Sequence, residues 1–275
     1  MPASDPRFLE AGQPSAAGVV FELVKRRVLA VQEYVLLSAR SLANVFSPPV
    51  YVTDTLIQMD VIGVGSLPIV MLTGFFIGAV MVLQTAAQFQ RFGETSLTGD
   101  VVAIALVREL GPTITGLLVA GRNASGMASE LGSMLVTEQV DAMRAMGTDP
   151  TRKLVTPRVV ATILVLPLLT AVADFIGLVG GYVVSHFTLR VGAIQFWRRA
   201  IDALEFADLM QGLSKPLFFA FILSTVGCYY GLTVRGGTQG VGRATTQAVV
   251  VSSVFILVAN FFLTKVMLYL AGHYF

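Results

Sequence analysis

The chain has 275 residues, of which 55% are hydrophobic and only 13% charged, with a mean hydropathy of +0.74. Soluble domains carry roughly a quarter of their residues as charges, so this composition excludes an ordinary soluble domain and indicates a polytopic membrane protein. A net charge of +2 is too small to favour nucleic acid, and the lone cysteine, Cys228, has no partner for a disulfide.

Residues 1–18 begin MPASDPRFLEAGQPS, with prolines and small polar residues but no apolar core. The expectation is a disordered tail, not a cleavable secretory signal. Residues 19–47 are helix-compatible and set Lys25, Arg26, Arg27, Glu33 and Arg40 among Val28, Leu29, Leu36, Leu37 and Leu42. That mixture reads as a helix lying in the membrane interface, with a soluble helix folded under the membrane domain as the alternative. Pro48 and Pro49 end it.

Residues 48–275 form one membrane domain. Apolar stretches of about 20 residues, the length of a helix that crosses the bilayer, lie around 63–89, 100–121, 158–187, 209–233 and 246–270. Lipid offers no partner for free backbone groups and the alternation of a barrel strand is absent, so the fold expected is an all-α integral membrane protein with five transmembrane helices. Lysine and arginine set the orientation. With the N-terminus cytoplasmic, Arg7, Lys25, Arg26, Arg27, Arg40, Arg122, Arg144, Arg152, Lys153, Arg158, Arg235 and Arg243 are inside. Arg91, Arg190, Arg198 and Arg199 are then outside, and the C-terminus is periplasmic.

The first span carries Gly74 and Gly78 at GxxxG spacing, which suits close helix packing, and Gln84 and Gln88 near its outer end. The second places Arg108 and Glu109 at membrane depth. After it comes ELGSMLVTEQVDAMRAMG, Glu130 to Gly147, too polar to cross a bilayer; a helix of about 129–147 is expected. On a helical wheel Leu131, Met134, Leu135, Ala142, Met143 and Met146 share one side, while Glu130, Ser133, Thr137, Asp141 and Arg144 share the other. Glu138 and Gln139 fall inside the apolar arc and so require a partner. Lipid headgroups would favour a basic polar face, and this one is acidic, so the helix reads as a docking surface for a protein. Gly147 is expected to close it in a left-handed cap, followed by Pro150.

In the third span Asp174 stands beside Gly177, Gly180 and Gly181 and is expected to make a helix-helix hydrogen bond. The outer segment 191–208, with Trp197, Arg198, Arg199, Asp202 and Glu205, suits a helix anchored at headgroup level. Lys215 in the fourth span, and Asn260 and Lys265 in the fifth, fall in the same outer layer as Arg108 and Glu109. Buried ionisable groups face a cavity or one another, so this layer is either a lipid-headgroup site or a polar cluster that holds the helices in register.

The run RELGPTITGLLVAGRNASGMASELGSMLVTEQVDAMRAMGTDP, Arg108 to Pro150, together with GGTQGVGRATTQAVV, Gly236 to Val250, resembles the signature of the MlaE/YrbE permeases. The resemblance implies a homodimeric subunit of an ABC transporter in the bacterial inner membrane. It would move phospholipids or related lipids to or from a periplasmic MCE-domain hexamer (MlaD-like) and maintain outer-membrane lipid asymmetry. A cytoplasmic ABC ATPase (MlaF-like) would bind ATP and Mg, with a STAS-domain protein (MlaB-like) as a further partner. This chain contains no GxxxxGK[ST] phosphate loop, so no cofactor is expected within it.

The resemblance further implies that the helix at 129–147 is the coupling helix, engaging the ATPase through Glu130, Met134, Glu138, Gln139, Asp141 and Arg144. Arg108, Glu109, Lys215, Asn260 and Lys265 would line the lipid path. Leu72, Phe75, Phe76, Gly78, Ala79 and Leu83 would line the lipid cavity and dimer interface. HExxH, GxSxG and paired in-span aspartates are absent, which argues against an intramembrane enzyme. The competing class is an ion-coupled secondary carrier of a hydrophobic solute, for which internally repeated halves would be expected.

Overall fold

The computed structural model describes residues 16–45, 47–93 and 97–274, and every long regular element among them is a helix. The tail expected over residues 1–18 falls almost wholly outside the described residues. Eight helices follow: α1 Ala16–Val45, α2 Val52–Phe89, α3 Thr98–Val136, α4 Gln139–Ala145, α5 Thr151–Leu189, α6 Ala193–Asp202, α7 Phe206–Leu232 and α8 Gly237–Tyr274. Of these α2, α3, α5, α7 and α8 are long and apolar enough to cross a membrane.

The five expected spans fall on these five helices, most of which extend well beyond the apolar stretch. With 39 residues, α3 runs about 58 Å at 1.5 Å per residue, well beyond the roughly 30 Å of a hydrocarbon core. Its last turns therefore project from one end of the bundle and carry α4. The starts of α2 and α5 and the junction of α7 with α8 lie at this same end; α6 caps the other.

A single helix over 129–147 is not what forms. Residues 129–136 complete α3, and the chain then breaks at Thr137 and Glu138, the latter at φ 61°. Thr137 ends the helix: its Oγ1 donates to the Ser133 carbonyl at 2.9 Å, and Gln139 Nε2 donates to that same Oγ1 at 3.0 Å. The break removes Glu138 and Gln139 from any apolar arc, and both are exposed. Gly147 does adopt the expected left-handed conformation, φ 77°, with the Thr148 N–H on the Met143 carbonyl at 3.0 Å.

At the centre of the bundle α5 packs along α2 and against α3 and α7. The core gathers Leu131, Val159, Leu166, Phe219, Leu223 and Cys228. Glycines set the α2–α5 distance: a methyl at Gly78 would overlap the Gly177 carbonyl oxygen, and one at Gly180 would overlap that of Phe75. The expectation of Gly78 and Ala79 at a dimer interface is therefore corrected, since both are buried within the chain. The close packing that the GxxxG spacing suits is made with α5, where Gly74 meets Ala173 and Gly78 meets Gly177. Leu72, Phe76 and Leu83, on the other face of α2, are exposed, and Phe75 is half-buried.

Asp174 is buried on α5 against Gly111, and its Oδ1 has no hydrogen-bond partner. At that oxygen the expected helix-helix hydrogen bond is not made. On α6, Phe196 and Ala200 are buried, Arg199 pairs with Asp100 of α3 at 3.3 Å, and Trp197 stacks near Phe175 and Tyr182.

Candidate functional site

Two groups of polar residues stand out, one inside the spans and one at the α4 end. The first begins with the backbone of α3. Leu106–Leu110 forms a π-helical turn in which the Gly111 N–H reaches the Leu106 carbonyl. Pro112 has no N–H to give the Arg108 carbonyl four residues earlier. Lys215 of α7 supplies the missing donor: its Nζ donates to the Arg108 carbonyl at 2.9 Å and pairs with Glu109 Oε1 at 2.7 Å.

The Lys215 side chain is 0% exposed, a depth at which an ammonium is retained only with such partners. It sits nine residues past Phe206, about 14 Å along the helix axis. Glu109 also accepts from Thr264 Oγ1 at 3.1 Å and from Asn260 Nδ2 at 3.5 Å, both on α8. Arg108 pairs with Asp208 at 3.3 Å. Two cations and two carboxylates thus neutralise one another while tying α3, α7 and α8 together.

Four of the five residues expected in this layer are brought together. Lys265 is exposed on α8 and stands outside the cluster. Asp208 and Thr264 were missed. Asp208 was read as part of the outer segment, although it is the N3 residue of α7, accepting from the Glu205 N–H at 3.2 Å in a capping box. Asn260 Oδ1 and Gln211 Nε2 are buried with no protein partner.

At the other end, Glu138, Gln139, Asp141 and Arg144 form an exposed turn in which Arg144 pairs with Asp141 at 2.8 Å. The remaining two expected coupling residues sit differently. Met134 packs partly against the core, as does Met143, while Met146 is exposed. Glu130 pairs at 2.7 Å with Arg158 of α5, whose side chain is 5% exposed and also donates to the Leu154 carbonyl at 2.6 Å.

The basic pair that follows α4, which in the sequence carried only an orientation signal, ties the start of α5 to its neighbours. Lys153 pairs with Asp54 at the start of α2 and lies 4.2 Å from the centre of the Tyr51 ring. Arg152 donates to the Pro48 carbonyl at 2.6 Å and to Asn44 Oδ1 at 3.3 Å. On α1, Tyr34 bonds Thr225 of α7 at 3.0 Å. The α4 turn is thus joined directly to the start of α5, which is clamped in turn to α1 and α2.

A family model described as permease MlaE matches residues 55–266, most of the chain and all five long helices. The chain belongs to the MlaE permease family. It is 42% identical over 234 residues to a probable ABC transporter permease protein of Rickettsia typhi, covering 85% of this chain and 90% of that one. A probable ABC transporter permease protein of Synechocystis is 41% identical over 78% of this chain and 81% of its own length. The chloroplastic protein TRIGALACTOSYLDIACYLGLYCEROL 1 of Arabidopsis thaliana is 36% identical over 84% of this chain and 66% of that protein.

This permease is therefore a multi-pass ABC transporter subunit of the MlaE family, and an ABC permease implies a partner ATPase. One consequence of its α4 end is open to measurement. Glu130→Ala leaves Arg158 buried with a carbonyl as its remaining partner, so the detergent-solubilised permease should lose about 2 kcal/mol of stability, read as a lower midpoint of thermal unfolding. An unchanged midpoint would show that the pair contributes nothing to holding α3 on α5.

Proposed function

We propose that two copies of this permease form the transmembrane core of an ABC transporter that moves phospholipids or related lipids between the bacterial inner membrane and a periplasmic MCE-domain partner. Its N-terminus would face the cytoplasm and its C-terminus the periplasm. In this reading ATP and Mg bind the partner ATPase, and closure of the ATPases is passed into the bundle as a rigid displacement, not as chemistry in this chain.

The observation that carries the proposal is the exposed turn of Glu138, Gln139, Asp141 and Arg144, set off from α3 by the break at Thr137 and Glu138 and followed closely by the clamp formed by Arg152 and Lys153. A force on this turn reaches α1, α2, α3 and α5 through short connections: the break at Thr137 and Glu138 on one side and residues 146–149 on the other. Support for a lipid cargo comes from the Arabidopsis relative, which is named for trigalactosyldiacylglycerol. It also comes from the polar cluster beneath the α6 end, which gathers Arg108, Glu109, Asp208 and Lys215 at membrane depth. A second copy is supported by α8, whose apolar window is only 11% buried and which presents Phe255, Val258, Phe261 and Phe262 outward.

Copurification tests the coupling. Wild type is expected to bring down its ATPase, whereas Glu138→Lys with Asp141→Lys should abolish capture without lowering thermal stability. Glu138→Gly keeps the left-handed turn, relieving strain of roughly 1 kcal/mol, and should weaken capture only as far as the carboxylate itself contributes. Full capture by the double-lysine variant would rule out this turn as the docking element.

A further inference from the structure

Between α1, the loop after α4 and the junction of α7 with α8 lies an open cavity of about 1220 Å³. Its walls carry Arg27 and Arg40 from α1, Arg144 from α4, Arg235 from the α7–α8 junction and Arg243 from the start of α8; Glu33 and Asp149 are the carboxylates in the lining. Arg144 is held by Asp141. Among the described residues Arg27, Arg40, Arg235 and Arg243 are in no ion pair and are exposed. The turn after Arg235 runs through Gly236 and Gly237, at φ 91° and 66°, a conformation that glycine adopts without strain.

Arginines without an ion-pair partner that line one concavity favour an anion there, and the surroundings say which kind. Besides walling the cavity, α1 exposes Val24, Val28, Val31, Val35 and Leu42. A helix that combines exposed valines with arginines lies where acyl chains meet headgroups, so the cavity opens at headgroup level. Guanidinium groups bind phosphate through paired N–H donors, and basic pockets beside transmembrane helices at this level take phosphate headgroups. A single phosphate ion would leave most of the volume empty.

We infer that this cavity binds the phosphate headgroup of an anionic phospholipid, drawn from the leaflet in which α1 lies, at a site separate from the Glu109–Lys215 cluster at the other end of the bundle. The bound lipid would join α1 to the α4 loop and to the α7–α8 junction. The inference does not depend on what the transporter carries.

Native mass spectrometry of the full-length permease in detergent, exposed to an equimolar mixture of cardiolipin and phosphatidylcholine, tests it. Wild type is expected to retain cardiolipin in large excess. Removing a surface arginine weakens attraction to anionic lipid about fivefold, so the triple variant R40Q/R235Q/R243Q should lose cardiolipin retention on the order of a hundredfold. R40K/R235K/R243K, which keeps the charges but loses the paired donors, should fall between wild type and the glutamine variant. Equal retention of the two lipids by wild type, or unchanged selectivity in the glutamine variant, would overturn the inference. So would displacement of cardiolipin by an equal concentration of glycerol 3-phosphate, which would assign the site to a soluble phosphate. Loss of ATPase capture in the glutamine variant with lipid selectivity intact would assign the surface to the protein partner instead.

Discussion

Replacing Glu109 with leucine is expected to destabilise the permease by about 3 to 5 kcal/mol, a larger effect than any surface charge change should produce. Lys215 is fully buried and would keep only the Arg108 carbonyl as a partner, so the substitution strands an ammonium in the protein interior. The double variant Glu109→Leu, Lys215→Met should recover most of the loss, because an apolar pair of similar volume avoids the desolvation cost of both charges. Thermal unfolding in detergent reads both outcomes. If the single variant is as stable as wild type, the pair is not the ionic bridge its geometry describes.

That double variant also separates the two meanings of the polar cluster. Reconstituted with its ATPase, it should be folded yet slow in ATP-dependent lipid transfer if the cluster meets headgroups during transport. Transfer at the wild-type rate would leave the cluster a structural tie between α3, α7 and α8.

The five crossings were legible because apolar runs of membrane length admit no other structure, and the shared depth of Arg108, Glu109, Lys215 and Asn260 followed from counting residues along those runs. Their connectivity was not legible. Pairing Lys215 with Glu109 depends on the carbonyl freed by Pro112, and a π-helical turn leaves no periodicity signal. Asp208 was hidden because α7 starts before its apolar stretch, although Glu205 and Asp208 stand at capping-box spacing. The break at Glu138 was missed because glutamate rarely adopts a left-handed backbone; helical periodicity carries smoothly through a position where the chain turns. The GxxxG pair announced a close approach without naming the partner, which Gly177, Gly180 and Gly181 of α5 supply.

That last assignment can be settled by adding one carbon. Gly78→Ala places a methyl group on the Gly177 carbonyl, and backbone cannot move aside as a side chain does, so α2 and α5 must separate. The expected loss is about 3 kcal/mol, with Gly180→Ala behaving alike because its methyl meets the Phe75 carbonyl. Gly126→Ala is the matched control: nothing lies within 4 Å of its added carbon, and in the interior of α3 it should leave stability unchanged or raise it by up to about 1 kcal/mol. Thermal unfolding combined with light scattering distinguishes the two homes of the glycine stripe. An intrachain contact predicts that Gly78→Ala lowers the unfolding midpoint of the single chain. An interface between copies predicts a monomer of undiminished stability, and that result would return Gly78 to the dimer and leave the tight packing of α2 on α5 without its explanation.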